Sequence, residues 1–189
     1  TVLVKSFDGW GWAYYLTDVN GTLFFAAFGS TGRQLWKSDG TPGGTAMLKD
    51  GFVDGPRGLT NVSGTLFFSA TDVANGIELW KSNGTPGGTV LVKDIYPGGA
   101  GNSNPLNLTQ AGGLLYFTAT TAFEGTELWK SDSTPEGTVL VQDVYPGPFS
   151  SGPGALTLSG KFLYFSADDG STGRELWALE IDLIFRDGF

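Results

Sequence analysis

The chain has 189 residues with no Cys and no His, and its 19 acidic side chains against 11 basic ones leave a net charge of −8. Disulfides, thiolate metal sites and Cys nucleophiles are therefore excluded, as is imidazole acid–base or ligand chemistry. The acidity argues against nucleic acid or an anionic membrane surface as a partner, and the absence of any run of 18 apolar residues argues against insertion into a bilayer. A composition 40% apolar and 14% aromatic supports a packed core, and 30 Gly with nine Pro, lacking a collagen period, indicate tight turns between short strands.

In chain order the first element is Thr1 to Phe7 (TVLVKSF); opening on Thr rather than Met fits a processed product or an excised fragment. Its TVLV-type run recurs at Thr45, Thr89 and Thr138, so successive units start 44, 44 and 49 residues apart. The second unit shows the elements of each: Ala46 to Lys49, Leu59 to Val62, Thr65 to Ala70 and Ile77 to Lys81, followed by Thr89 to Asp94. Between the Leu59-type and Thr65-type segments sit the pairs Asn20-Gly21, Ser63-Gly64, Gly112-Gly113 and Ser159-Gly160, which suit primed hairpin turns.

The segments are short, rich in Val, Leu, Phe, Tyr, Trp and Thr, and apolar on both faces in runs such as Leu23-Phe24-Phe25 and Leu163-Tyr164-Phe165. Strands of that kind belong between stacked sheets, and four strands in 44 to 49 residues is the size of a propeller blade. The expectation is an all-β, four-bladed β-propeller of four-stranded antiparallel sheets in one domain over residues 1–180, with a tail at 181–189. The blades fall at about 8–50, 51–94, 95–143 and 144–180 plus 1–7, each running from inner to outer strand. The last blade (Ala155 to Glu180) lacks an outer strand and Thr1 to Phe7 lacks a blade, so the N-terminal strand is expected to close the ring. Two alternatives stand beside this: four units cut from a longer array, or Glu180 to Phe185 supplying the missing strand.

The recurring stretches Gln34 to Asp50 (QLWKSDGTPGGTAMLKD), Glu78 to Ile95 (ELWKSNGTPGGTVLVKDI) and Glu127 to Val144 (ELWKSDSTPEGTVLVQDV), with RELW at Arg174 to Trp177, resemble the ELWxxDGT repeat of large bacterial secreted or surface proteins. The resemblance covers nearly the whole chain and implies an extracellular or cell-surface, propeller-like module; no ligand or reaction comes with it. Gln34 for Glu, Asn83 for Asp, Ser133 for Gly and the fourth copy's run into ALEIDLIFRDGF depart from the pattern. The Ser38 to Thr45 turn also resembles the sialidase Asp-box, with different spacing. Only Arg33, Arg57, Arg174 and Arg186 are available for an arginine triad, so sialidase chemistry is not expected.

Asp39, Asn83 and Asp132 read as Asx side chains capping their own turns. Trp36, Trp80, Trp129 and Trp177 read as filling between blades, and Glu78, Glu127 and Glu175, interrupted by Gln34, as structural carboxylates rather than a catalytic ring. Sequons at Asn20, Asn61, Asn83 and Asn107 match the glycosylation pattern, but Asn20 and Asn83 are turn residues in any case.

The loops entering the blades are long and unlike one another (Ser6 to Tyr15, Gly51 to Gly58, Ile95 to Asn107, Val144 to Ala155), which makes their face the candidate binding surface. On it Asp8, Trp10, Trp12, Tyr14, Tyr15, Asn102, Asn104 and Ser150 would suit a glycan, with aromatics stacking on the sugar and polar groups meeting its hydroxyls; the other reading is that the aromatics seal the first blade. Asp168 and Asp169 are either an acidic turn or a calcium pair, and no other cofactor is expected. Ile181, Leu183 and Phe185 form an apolar alternation that would lie on the ring or add to a neighbouring subunit in a homo-oligomer or filament. The expected function is a non-enzymatic binding module for a glycan or a surface protein. The alternatives are a structural subunit of an extracellular layer or filament and, third, a glycosidase-like enzyme.

Overall fold

The computed structural model describes residues 1–7, 11–29, 31–99 and 101–182. Fifteen strands and no helix are present among them. They are β1 (Ala13–Val19), β2 (Thr22–Gly29), β3 (Gly32–Ser38) and β4 (Ala46–Lys49); β5 (Asp54–Val62), β6 (Thr65–Asp72), β7 (Gly76–Ser82) and β8 (Thr89–Lys93); β9 (Leu106–Ala111), β10 (Leu114–Thr121), β11 (Gly125–Ser131) and β12 (Val139–Gln142); and β13 (Gly154–Ser159), β14 (Phe162–Asp168) and β15 (Arg174–Glu180). Consecutive strands pair antiparallel into three four-stranded sheets and a final three-stranded one.

Each sheet starts with a tight hairpin. Asn20-Gly21, Ser63-Gly64 and Gly112-Gly113 all take positive φ at both positions, as a type I′ turn requires, and this twist matches the flanking strands. In the fourth hairpin Ser159 pairs with Phe162, so the turn is Gly160-Lys161 rather than the expected Ser159-Gly160. Gly160 alone has positive φ (57°), so the one glycine takes the first central position, where a II′ turn needs it.

The sheets stack face to face in chain order. Val19, Phe24, Leu35 and Leu48 of the first sheet, with Phe52, pack on Leu66, Phe68, Ala70 and Trp80 of the second. Val62, Phe67, Leu79 and Val92 repeat the arrangement against Leu115, Phe117, Ala119 and Trp129 of the third. Leu128 and Val144 then pack on Phe165 and Ala167 of the fourth. The side chains that alternate along one strand thus enter two different interfaces, which explains why runs such as Leu66-Phe67-Phe68 are apolar throughout.

The inner strands touch in succession, β1 with β5, β5 with β9 and β9 with β13, but β13 makes no comparable contact with β1 among the described residues. Ring closure by Thr1 to Phe7 is not present either. That segment forms no strand, and Phe7 lies edge-on to Phe25 and Trp36 of the first sheet, at 5.8 and 5.1 Å between ring centroids. The physical reason is that the fourth sheet does not come beside the first as the other neighbours do, so a segment that Phe7 seats on the first sheet, covering an apolar side as Phe52 does in the second, does not reach β15. Among the described residues the fourth sheet has three strands and one open face. Leu176 is 75% exposed, whereas its counterparts Leu35, Leu79 and Leu128 are at most 1% exposed.

This asymmetry makes a stability prediction. Leu128→Ala empties a fully buried position and should cost about 2–5 kcal/mol, whereas Leu176→Ala in dilute solution should stay within about 0.5 kcal/mol, both read by chemical denaturation.

Candidate functional site

The SDGT turns between third and fourth strands are closed by their own side chains. In the first copy the Asp39 carboxylate accepts from the amide and hydroxyl of Thr41 at 2.9 and 2.8 Å, and the Gly44 amide donates to the Thr41 hydroxyl oxygen at 3.0 Å. Asn83 with Thr85 and Asp132 with Thr134 repeat the pattern within about 0.1 Å. These donors hold the Asp39 and Asp132 carboxyls below the usual carboxylate range, because they stabilise the charged form. The turn is an Asx cap, as its sequence suggests.

Glu78 and Glu127 of the second and third ELW runs are structural carboxylates, as read from the sequence, and their partners are backbone amides. Glu78 is fully buried and accepts from the backbone amides of Ile95 (3.0 Å) and Ser103 (3.1 Å) and from the Ser103 hydroxyl (2.6 Å). Glu127, equally buried, accepts from the amides of Val144 (3.2 Å) and Ser151 (2.8 Å) and from the Ser151 hydroxyl. Each carboxylate thus ties both ends of the loop that enters the next sheet. Burial pushes both carboxyls above their ordinary value, and the same hydrogen bonds pull the other way. Gln34 departs from the pattern. Its Oε1 accepts from the Trp36 indole at 3.2 Å, and the loop after β4 is shorter.

Those loops are pinned a second time. The Asn102 side-chain oxygen accepts from the Ile77 amide at 2.8 Å, and Ser150 Oγ accepts from the Thr126 amide at 2.9 Å. Gly76 and Gly125, at φ 72° and 65°, pass so close to the loop that an added Cβ would lie 2.0 Å from the carbonyl oxygens of Gly101 and Phe149. Only glycine fits there, which accounts for the glycine ahead of these two ELW runs.

Of the residues proposed from sequence for a ligand, Asn102 and Ser150 are therefore loop fasteners. Asn104 is exposed and donates to the Asn102 carbonyl at 3.2 Å. Tyr14 is half-buried between Phe28 and the Arg33 guanidinium, the latter 5.5 Å from its ring centre, so it seals the first sheet. Trp12 and Tyr15 remain 65% and 44% exposed. Asp8 and Trp10 lie outside the described residues. In the Asp168-Asp169 turn, Asp168 accepts from the Gly170 amide and Asp169 from the amides of Ser171 and Thr172, each at 2.8 Å. Those donors hold the Asp169 carboxyl down to about 2. Among the described residues no cluster of three or more metal-ligating side chains occurs. Ile181 is buried against Ala111, Tyr116 and Leu163 of its own chain, the first of the two places expected for this segment; Leu183 and Phe185 lie outside the described residues.

One feature of the inner strands escaped the sequence reading. Tyr15, Gly58, Asn107 and Ala155 occupy the same position in β1, β5, β9 and β13, and all have φ between 55° and 60°. Each marks a bulge, and each carbonyl accepts from a Thr hydroxyl two residues on: Thr17, Thr60, Thr109 and Thr157, at 2.9–3.2 Å. Thr17 and Thr60 also reach the Leu59 and Leu108 carbonyls of the next inner strand, at 3.1 and 3.4 Å. The signal was visible as a Leu-Thr or Ala-Leu-Thr run in every unit. Beside the bulges of β5 and β9 opens a pocket of about 470 Å³, with Leu59, Ile77 and Leu106 as apolar lining and Arg57, Thr60 and Asn104 as polar lining.

Four stacked antiparallel sheets joined by short hairpins within and long loops between define a β-propeller-like, all-β fold. Solved structures agree. A puromycin hydrolase variant superposes with a TM-score of 0.57 at 16% identity over 85% of this chain, and this chain spans a quarter (25%) of that one. The computationally designed protein Ika4 matches at 0.54 and 15% identity, covering 93% of this chain and 96% of its own. The designed Ika8 matches at 0.50 and 14% identity, covering 88% and 46%. Identities this low speak for the fold alone. No family model and no curated protein matches the sequence.

The buried carboxylates make two predictions. Glu127→Ala orphans two buried amides and should destabilise by roughly 2–5 kcal/mol, measured by denaturant titration. The pH response has two opposed parts. Asp169, depressed to about 2 from 3.8, adds stability that is present above about pH 3.8 and lost as the pH falls toward 2. Glu78 and Glu127, raised above 4.5, add stability that is complete below pH 4.5 and lost as the pH rises through their folded values. Thermal melts from pH 2 to 7 should therefore show a steeper acid loss in Glu127→Gln than in the native chain, because one of the two offsetting contributions is gone.

Proposed function

We propose that the chain is a non-enzymatic, extracellular or cell-surface binding module whose loop face takes a carbohydrate. The observation that carries this reading is the division of labour among its side chains. Glu78, Glu127, Asn102 and Ser150 are committed to fixing the loops, while Trp12 and Tyr15 stay exposed at the same end of the inner strands as the pocket between β5 and β9. A rigid rim with free aromatic faces and a part-polar pocket is what sugar recognition uses: ring faces stack on the aromatics and hydroxyls meet amides. Carboxylates already saturated by backbone donors are poorly placed for acid–base turnover, which weighs against the glycosidase-like reading. The extracellular setting follows from the resemblance to the ELWxxDGT repeat, and no helix of the described structure is long and apolar enough to cross a membrane.

A second reading, a structural subunit of a surface layer or filament, is favoured by the exposed Leu176 and by a fourth sheet of three strands among the described residues. A glycan array on the 189-residue chain separates the two. The binding reading expects a defined set of glycans whose signal falls at least tenfold in Trp12→Ala or Tyr15→Ala with the melting temperature unchanged. A correctly folded chain that binds no glycan contradicts it.

A further inference from the structure

The two ends of the stack are complementary. Lys5 lies 5.1 Å over the Trp36 ring, as Lys49 at the end of β4 lies 5.2 Å over Trp80. Phe7 meets Phe25 and Trp36 edge-on at 5.8 and 5.1 Å, as Phe52 meets Phe68 and Trp80 at 6.0 and 5.3 Å. Thr1–Phe7 is thus seated on the first sheet where the outer strand of a preceding sheet belongs, although it has no strand to pair with. At the other end β15 carries the same Glu-Leu-Trp run as β7 and β11, yet its outer edge bears no strand among the described residues. Glu175 and Leu176 are exposed there, whereas their counterparts Glu78, Glu127, Leu79 and Leu128 are buried by the outer strand and the loop that follows it.

We propose that Thr1–Phe7 of a second copy of this chain completes the fourth sheet by pairing antiparallel with β15, so that copies join head to tail. The occupant follows from continuity with the interfaces inside the chain. Three times the outer face of one sheet packs on the facing side of the next, and the fourth sheet and the first present the two unmatched halves of that same contact. The chain's own N-terminal segment does not fill the place, because β13 and β1 are not in comparable contact and Phe7 stays on the first sheet. In the second copy Lys5 and Phe7 already sit on the first sheet as Lys49 and Phe52 sit on the second, so only Thr1–Val4 has to pair. The register follows from β3 and β4, where Trp36 faces Met47 and Lys37 faces Ala46. Trp177 therefore faces Leu3 of the partner subunit, and Ala178 faces Val2 of the partner subunit. Glu175 then accepts from the amide of Phe7 of the partner subunit, as Glu78 accepts from Ile95 and Glu127 from Val144. Such a contact is heterologous: it closes into a ring or extends into a filament according to the rotation per copy. It deepens the structural-subunit reading, and its failure leaves the carbohydrate-binding reading intact.

The chain contains no cysteine, so an engineered pair reports this contact alone. Val2→Cys and Ala178→Cys proteins are mixed and oxidised, and the native chain and Leu176→Asp are compared by size-exclusion chromatography with light scattering over a hundredfold range of concentration. The expected result is a disulfide-linked pair formed at least tenfold more in the mixture than in either protein alone, with native oligomers that grow with concentration. Leu176→Asp, altered at a position exposed in the single chain, should be monomeric with an unchanged β spectrum. A native chain that is monomeric throughout and gives no mixed disulfide overturns the proposal. So does a Val2→Cys/Ala178→Cys double variant that forms its disulfide within a monomer, which would mean that the chain closes on itself.

Discussion

A sheet that is apolar on both faces must be covered on both faces, and most of this structure follows from that constraint. Phe67 and Phe68, adjacent in β6, are both almost fully buried because one enters the interface with the third sheet and the other the interface with the first. No two-layer arrangement buries such a strand, so the sheets must follow one another in a stack. The interior sheets satisfy the requirement from both neighbours. The terminal sheets cannot, and the compensations are visible: Phe7 covers part of the first, while the outer side of the fourth leaves Leu176 in solvent.

The polar groups of the repeat serve the same stack by solving a different problem. A loop that leaves one sheet and enters the next carries backbone amides into the interface, where each needs an acceptor. Glu78 and Glu127 are those acceptors, and Ser103 and Ser151 are the hydroxyls that share them. The carboxylates bear a desolvation cost that the hydrogen bonds offset in part, and in return the long loops are held at both ends. Lys37 and Lys81 do a related job at the outer rim by donating to the carbonyls of Gly84 and Ser133 in the next sheet's turn, at 2.8 and 2.7 Å. The loop face is therefore a rigid rim on which Trp12 and Tyr15 stand free.

Much of the architecture was legible in the sequence because it is repeated and local. The 44-residue period, the Asn-Gly and Ser-Gly pairs and the two-faced strands led directly to four consecutive antiparallel sheets, and the Asx role of Asp39, Asn83 and Asp132 follows from their own neighbours. The fourth turn was misplaced by one residue because Ser159-Gly160 imitates its relatives, and only pairing shows the glycine in the first central position. What depended on contacts distant in sequence was not legible. Asn102 and Ser150 looked like free polar groups for a ligand, but their partners, Ile77 and Thr126, lie about 25 residues upstream. At Tyr15 and Ala155 the residue type does not announce a positive φ, and only the Leu-Thr pair that follows in every unit marks the bulge. Closure of the ring by Thr1 to Phe7 was inferred from matching deficits, and a matching deficit does not distinguish one chain from two.

The central claim is that, within a single chain, the outer edge of β15 pairs with no strand of the described residues. Amide hydrogen exchange in dilute solution tests it most directly, comparing Leu176 to Ala178 with the equivalent runs Leu79 to Lys81 and Leu128 to Lys130. The outward amides of β15 should exchange as fast as those of exposed loops while β7 and β11 remain protected. Equal protection of all three strands, unchanged on further dilution, would contradict the account.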